Sequence, residues 1–127
     1  MENLYIKSYH GIIPKVLFDA KTGNCEISGE SSPADVLVFF QNLNNWFDEY
    51  IERVKGPISL TLNLSYFNTS SSRGIFKILT ILKKYQVAGG EVKVTWHYDE
   101  DDQDMYEEII DQSDVAELSI LIVPNLI

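Results

Sequence analysis

The sequence predicts an α/β (α+β) fold: a mixed β-sheet of about five to six strands with three main helices, chiefly on one face. Three observations lead there. Ile58, Leu60, Leu62, Leu64 and Tyr66 alternate with Ser59, Thr61, Asn63 and Ser65, the period of a strand with one buried face. The segments on either side carry apolar residues at spacings of three and four, the period of amphipathic helices. Strand and helix patterns then alternate to the carboxyl end, and strand–helix–strand crossovers make neighbouring strands parallel.

Each element has its own local reason. Leu4 to Tyr9 and Lys15 to Asp19 are short β-prone runs separated by His10-Gly11 and Pro14, and Lys21-Thr22-Gly23-Asn24 reads as a turn into a third strand, Cys25 to Ser28. Together they predict an antiparallel meander. Ser31-Ser32-Pro33 predicts a helix start, with a hydroxyl cap before a proline at the first helical position and Asp35 completing a shortened capping box. Val36, Leu37, Phe40, Leu43, Phe47, Tyr50, Ile51 and Val54 then form one apolar stripe, which Gly56-Pro57 ends. The short polar residues opposite the Ile58–Tyr66 stripe predict helices mainly on one side, because a strand sandwiched between two layers is apolar on both faces.

After Asn68 to Ser72 a second helix turns Ile75, Phe76, Ile78, Leu79, Leu82 and Tyr85 to the core and Lys77, Lys83 and Lys84 to water, ending at Gly89-Gly90. Glu91 to Tyr98 is an alternating strand with Val92, Val94, Trp96 and Tyr98 on one face. Asp99 to Asp104 is an acidic turn into a third helix that runs to about Asp114, and Leu118 to Val123 is the last strand.

With 127 residues and 45% hydrophobic content, the chain reads as one domain, 1–127, able to bury a core without metal or disulfide. A net charge of −9 argues against nucleic-acid or anionic-membrane partners, which need a cationic surface. One cysteine, Cys25, excludes an intramolecular disulfide and a Cys-based zinc site. The first fifteen residues lack a signal peptide's apolar stretch and no run is long enough to span a membrane, so a cytoplasmic location is expected.

Two segments carry chemistry. Tyr66-Phe67-Asn68-Thr69-Ser70-Ser71-Ser72-Arg73-Gly74 falls where a strand hands over to a helix. Its hydroxyls read first as ordinary capping residues, and they also offer a place where a phosphoryl group gains from the helix dipole and free amides. A phosphate there adds about −1.5 to −2 charges. The second segment holds nine acidic side chains between Asp99 and Asp114. It reads as an acidic helix start, a negative docking surface, or a hard-cation or metal-hydrolase site centred on Asp99, Asp101, Asp102 and Asp104. An EF-hand loop needs glycine where Asp104 stands. Neither His10, His97 nor Cys25 belongs to a catalytic spacing, so no enzyme is expected.

Tyr66-Phe67-Asn68-Thr69-Ser70-Ser71, followed some 25 residues on by Val94-Thr95-Trp96-His97-Tyr98-Asp99-Glu100-Asp101-Asp102-Gln103-Asp104-Met105, resembles the SiaC family of bacterial regulatory phosphoproteins. The similarity extends to the amino-terminal strands and Ser32-Pro33. It implies a fold like the STAS domains of anti-sigma-factor antagonists, without cofactor, and phosphorylation at Thr69, with Ser70 and Ser71 as alternates. It further implies control by a partner-switching kinase of the anti-sigma type and a PP2C-type phosphatase, with the unphosphorylated form activating a diguanylate cyclase and so raising cyclic di-GMP. Tyr66, Asn68, Thr69, Ser70, Ser71, Arg73 and Lys77, with Asp99, Asp101 and Asp102 as a second patch, are the expected partner contacts. Gly74, in the first helical turns, departs from ordinary helix preference by about 1 kcal/mol.

Overall fold

The structure is a computed structural model that describes residues 1–9 and 12–125; His10 lies outside them. Three strands open the sheet, β1 (Leu4–Ile6), β2 (Lys15–Phe18) and β3 (Asn24–Ser31), paired antiparallel as the meander predicts. Three crossovers follow: α1 (Val36–Arg53) to β4 (Ile58–Phe67), α2 (Thr69–Val87) to β5 (Val92–Asp99), and α3 (Gln103–Ala116) to β6 (Leu121–Asn125). The six strands lie side by side in chain order, with β3 through β6 parallel. Crossovers of one hand that all step in one direction put every helix on the same face. That face buries Cys25, Ile27, Ile58, Leu60, Leu62, Leu64, Val94 and Trp96, while Ser59, Thr61, Asn63 and Ser65 stay at least partly accessible. No helix among the described residues is long and apolar enough to cross a membrane.

Several boundaries move for physical reasons. β3 does not stop at Ser28; it runs on to Ser31, opposite Phe67, through a register shift at Gly29/Glu30. Ser31 is thereby buried in the sheet, and the cap of α1 passes to Asp35, whose carboxylate accepts the Val38 N–H at 3.2 Å. The later start turns Leu37 outward, 84% exposed, and brings Phe39 and Trp46 into the core beside Phe40, Leu43, Phe47 and Tyr50. Trp46 stacks on Tyr50 and donates to the Glu2 carbonyl at 3.0 Å, which ties the amino terminus to α1. Val54 is likewise outside the core.

Leu118 belongs to the turn that closes α3, not to a strand. Its N–H reaches the Ser113 carbonyl at 3.2 Å and its own carbonyl accepts the Ser113 hydroxyl at 2.7 Å, so β6 begins only at Leu121. This turn requires Glu117 to adopt a left-handed backbone, φ 53°. Glu117→Gly relieves that strain at some cost in chain entropy, and a net gain of about 0.5–1 kcal/mol is expected in urea unfolding.

Gly74 has a packing reason. A Cβ there would lie 2.4 Å from Cγ of the Phe40 ring, so its absence lets α1 and α2 approach closely. Cys25 is 2% exposed and its thiol donates weakly to the Gly23 carbonyl at 3.5 Å. Burial, reinforced by the Asp19 charge, pushes the thiol well above its ordinary range. The stability this contributes is fully present below the unfolded thiol's pKa, about 8.5, and declines as pH rises above it. Ellman's reagent is expected to label native Cys25 about a hundredfold more slowly than the urea-unfolded chain at pH 8.

Candidate regulatory site at the start of the second helix

The carboxyl end of β4 opens onto a cleft of about 660 Å³ between the first turns of α2 and α3. Its first wall is built by the junction of β4 and α2. Asn68 caps α2, its side-chain oxygen accepting the Ser71 N–H at 2.8 Å, while its own N–H donates to the Ser31 carbonyl at 3.1 Å. Ser71 is fully buried, and its hydroxyl donates to the same Ser31 carbonyl at 3.0 Å and accepts from the Ser31 hydroxyl at 2.9 Å. The cap is thus pinned to the end of β3 by three polar links.

The second wall comes from α3. Asp102 caps that helix by accepting the Met105 N–H at 3.0 Å, and Asp102, Asp104, Met105 and Glu108 line the cleft opposite Thr69 and Arg73. Ser72 bridges the walls: its hydroxyl donates to the Glu108 carboxylate, and the Gln112 amide donates to the Ser72 hydroxyl at 3.0 Å and to its carbonyl at 3.2 Å.

The four hydroxyls therefore separate by environment. Ser71 and Ser72 serve the fold. Thr69 and Ser70 are exposed, and neither side chain makes a hydrogen bond among the described residues. Ser71, expected as an alternate acceptor, is out of an enzyme's reach unless the start of α2 opens. Because Asn68 is the cap, replacing Thr69 removes no capping bond.

Of the expected contacts, the cleft gathers Tyr66, Asn68, Thr69, Arg73 and Asp102. Ser70 and Lys77 lie instead on the side of α2 that faces α1, where Arg73 also reaches. Asp99 ends β5, opposite Asn125, and Asp101 stays in the turn before α3, where the Asp99 carboxylate accepts the Asp101 N–H at 3.0 Å. No three His, Cys, Asp or Glu side chains among the described residues converge as metal ligands. Glu108 and Gln112 are absent from the expected set; their spacing of four after Asp104 is the signal that places all three on one side of α3.

A six-stranded mixed sheet with three helices is the α/β fold of the solved SiaC structures, and here exposed hydroxyls stand at its strand-to-helix junction. The chain belongs to the SiaC family of regulatory phosphoproteins, whose family model matches residues 8–125. It is 30% identical over 86 residues to an uncharacterized protein of Pseudomonas aeruginosa strain UCBPP-PA14, covering 68% of each. The crystal structure of apo-SiaC from Pseudomonas aeruginosa superposes with a TM-score of 0.88 at 25% identity, over 97% of this chain and 99% of that one. SiaC in its crystal structure with the diguanylate cyclase SiaD, whose activator it is, shares the fold, with a TM-score of 0.90 at 24% identity over 96% and 99% of the two chains.

Proposed function

We propose that this protein is a non-enzymatic, cytoplasmic binding module of one domain, controlled by phosphorylation at Thr69, whose unmodified form binds and activates a diguanylate cyclase. The observation that carries the reading is the exposure of Thr69, without a hydrogen-bonding duty of its own, at the mouth of the cleft. The family's description as regulatory phosphoproteins and the cyclase complex of the Pseudomonas aeruginosa relative support it. A kinase of the anti-sigma type would add the phosphate and a PP2C-type phosphatase remove it.

The physics of release is local. Unmodified Thr69 presents a neutral rim that a partner can cover with little desolvation. Phosphothreonine carries about −1.5 to −2 charges. It would stand across the cleft from Asp102, Asp104 and Glu108, with Arg73 one helical turn along as the nearby cation. A partner covering that rim must then bury an anion already beside carboxylates. The test is titration of the cyclase from the same organism with the unmodified and the Thr69-phosphorylated protein. Equal affinities would remove phosphorylation control, and absence of binding by the unmodified form would remove the cyclase as partner.

A further inference from the structure

We infer that the groove between α1 and α2 docks an acidic amphipathic helix of the protein partner, an inference that rests on the binding role proposed above. The groove has a volume of about 300 Å³, and Leu37, Phe40, Asn44, Ser70, Arg73 and Lys77 line it. Its mouth is apolar, with Val36 and Leu37 lining it in the first turn of α1 and Leu37 84% exposed. Behind it lies an unmet polar demand: Asn44 is 3% exposed and its side-chain oxygen has no hydrogen-bond partner among the described residues. A buried acceptor left unpaired costs stability.

The opposite wall names the ligand's charge. The chain has nineteen acidic residues against ten basic, yet Arg73 and Lys77 make no salt bridge among the described residues; the one formed there joins Arg53 and Glu49. The two cations stand four residues apart on α2, about one turn or ~6 Å along its axis. Two carboxylates one turn apart on a helix lying alongside match that spacing, while its apolar side chains cover Leu37 and Phe40. With a net charge of −9 the remaining surface repels such a helix, so the cation pair also sets where it binds. Arg73 belongs to both the groove and the Thr69 cleft, so a phosphate on Thr69 draws on a cation that the partner helix needs.

The test places p-benzoylphenylalanine at Leu37 in the full chain, expressed in its native host, and sequences the peptide crosslinked on irradiation. Capture alone does not count. The expected product is a helical segment with Asp or Glu three or four residues apart beside apolar residues. Crosslink yield should fall about tenfold with Arg73→Glu and Lys77→Glu together. Both side chains are exposed, so an unchanged melting temperature shows that the fold is intact. A crosslinked segment without paired carboxylates, a yield indifferent to the charge reversal, or no crosslink at Leu37 would each overturn the groove. If Thr69 phosphorylation abolishes partner binding but Leu37 never crosslinks, the groove fails and the switch stands. If Leu37 crosslinks as expected and phosphorylation changes nothing, the switch fails and the groove stands.

Discussion

Replacing Gly23 with alanine is expected to cost about 3 kcal/mol or more, because a Cβ there meets the tightest approach of any glycine among the described residues. Gly23 closes the β2–β3 turn with φ +77°, a conformation that costs an L-residue roughly 1–2 kcal/mol. The added Cβ would fall 1.8 Å from the Pro57 carbonyl oxygen and 2.6 Å from the Tyr50 hydroxyl. The first of these is backbone and cannot swing aside. The same carbonyl accepts the Tyr50 hydroxyl at 2.7 Å, and the Gly23 carbonyl accepts the Ser59 N–H at 2.9 Å, so yielding space breaks bonds that align β3 with β4. Overpacking and a lost buried hydrogen bond each add about 1–3 kcal/mol. Domains of this size are commonly stable by only about 5–15 kcal/mol, so the variant should unfold at a markedly lower urea concentration. A loss under about 1 kcal/mol would contradict this account of the turn.

Phosphorylation of Thr69 is expected to weaken cyclase binding by about a hundredfold, equivalent to ~2.7 kcal/mol. The magnitude follows from placing a near-dianion across from three carboxylates on a surface the partner must desolvate. Thr69→Glu brings one negative charge without the phosphate's geometry, and about a tenfold loss is expected. Thr69→Ala should bind as the unmodified protein does and resist the kinase. It should also melt normally, because Asn68 supplies the cap and the Thr69 side chain makes no hydrogen bond among the described residues. Calorimetric titration of the three variants and the phosphorylated chain separates these outcomes. A Thr69→Ala protein that loses binding would show that the hydroxyl itself is a contact.

The parts of this molecule legible in the sequence are those with local causes. The alternation from Ile58 to Tyr66 reports which face of β4 is buried, and the polar residues between report that the other face carries no helices. Asn68 and the hydroxyls after it mark the strand-to-helix junction because capping is a short-range demand. Ser32-Pro33 misleads for the opposite reason. It has every local mark of a helix start, but pairing with Phe67 keeps Ser31 in the sheet and delays the helix to Val36. Long-range pairing outweighs a cap.

The site divides in the same way. Thr69 and Asp102 are visible as separate motifs, and their meeting across one cleft depends on α2 and α3 packing side by side on the sheet. Glu108 and Gln112 look like solvent-facing helix residues until Ser72 is placed between them. Likewise, nothing local distinguishes Ser71 from Ser70; only the end of β3, 40 residues earlier, takes one hydroxyl and leaves the other free. Gly74 reads as a weak helix former, and its use is apparent only with the Phe40 ring against it.

The most direct test of phosphorylation control is intact-mass and fragment mass spectrometry of the protein purified from its native host, before and after phosphatase treatment. A single phosphoryl group localised to Thr69 and removed by the phosphatase is the expected result. A chain that stays unmodified across varied growth conditions, or carries its phosphate only at a residue away from the cleft, would contradict it and return Thr69 to an ordinary place in the first turn of a helix.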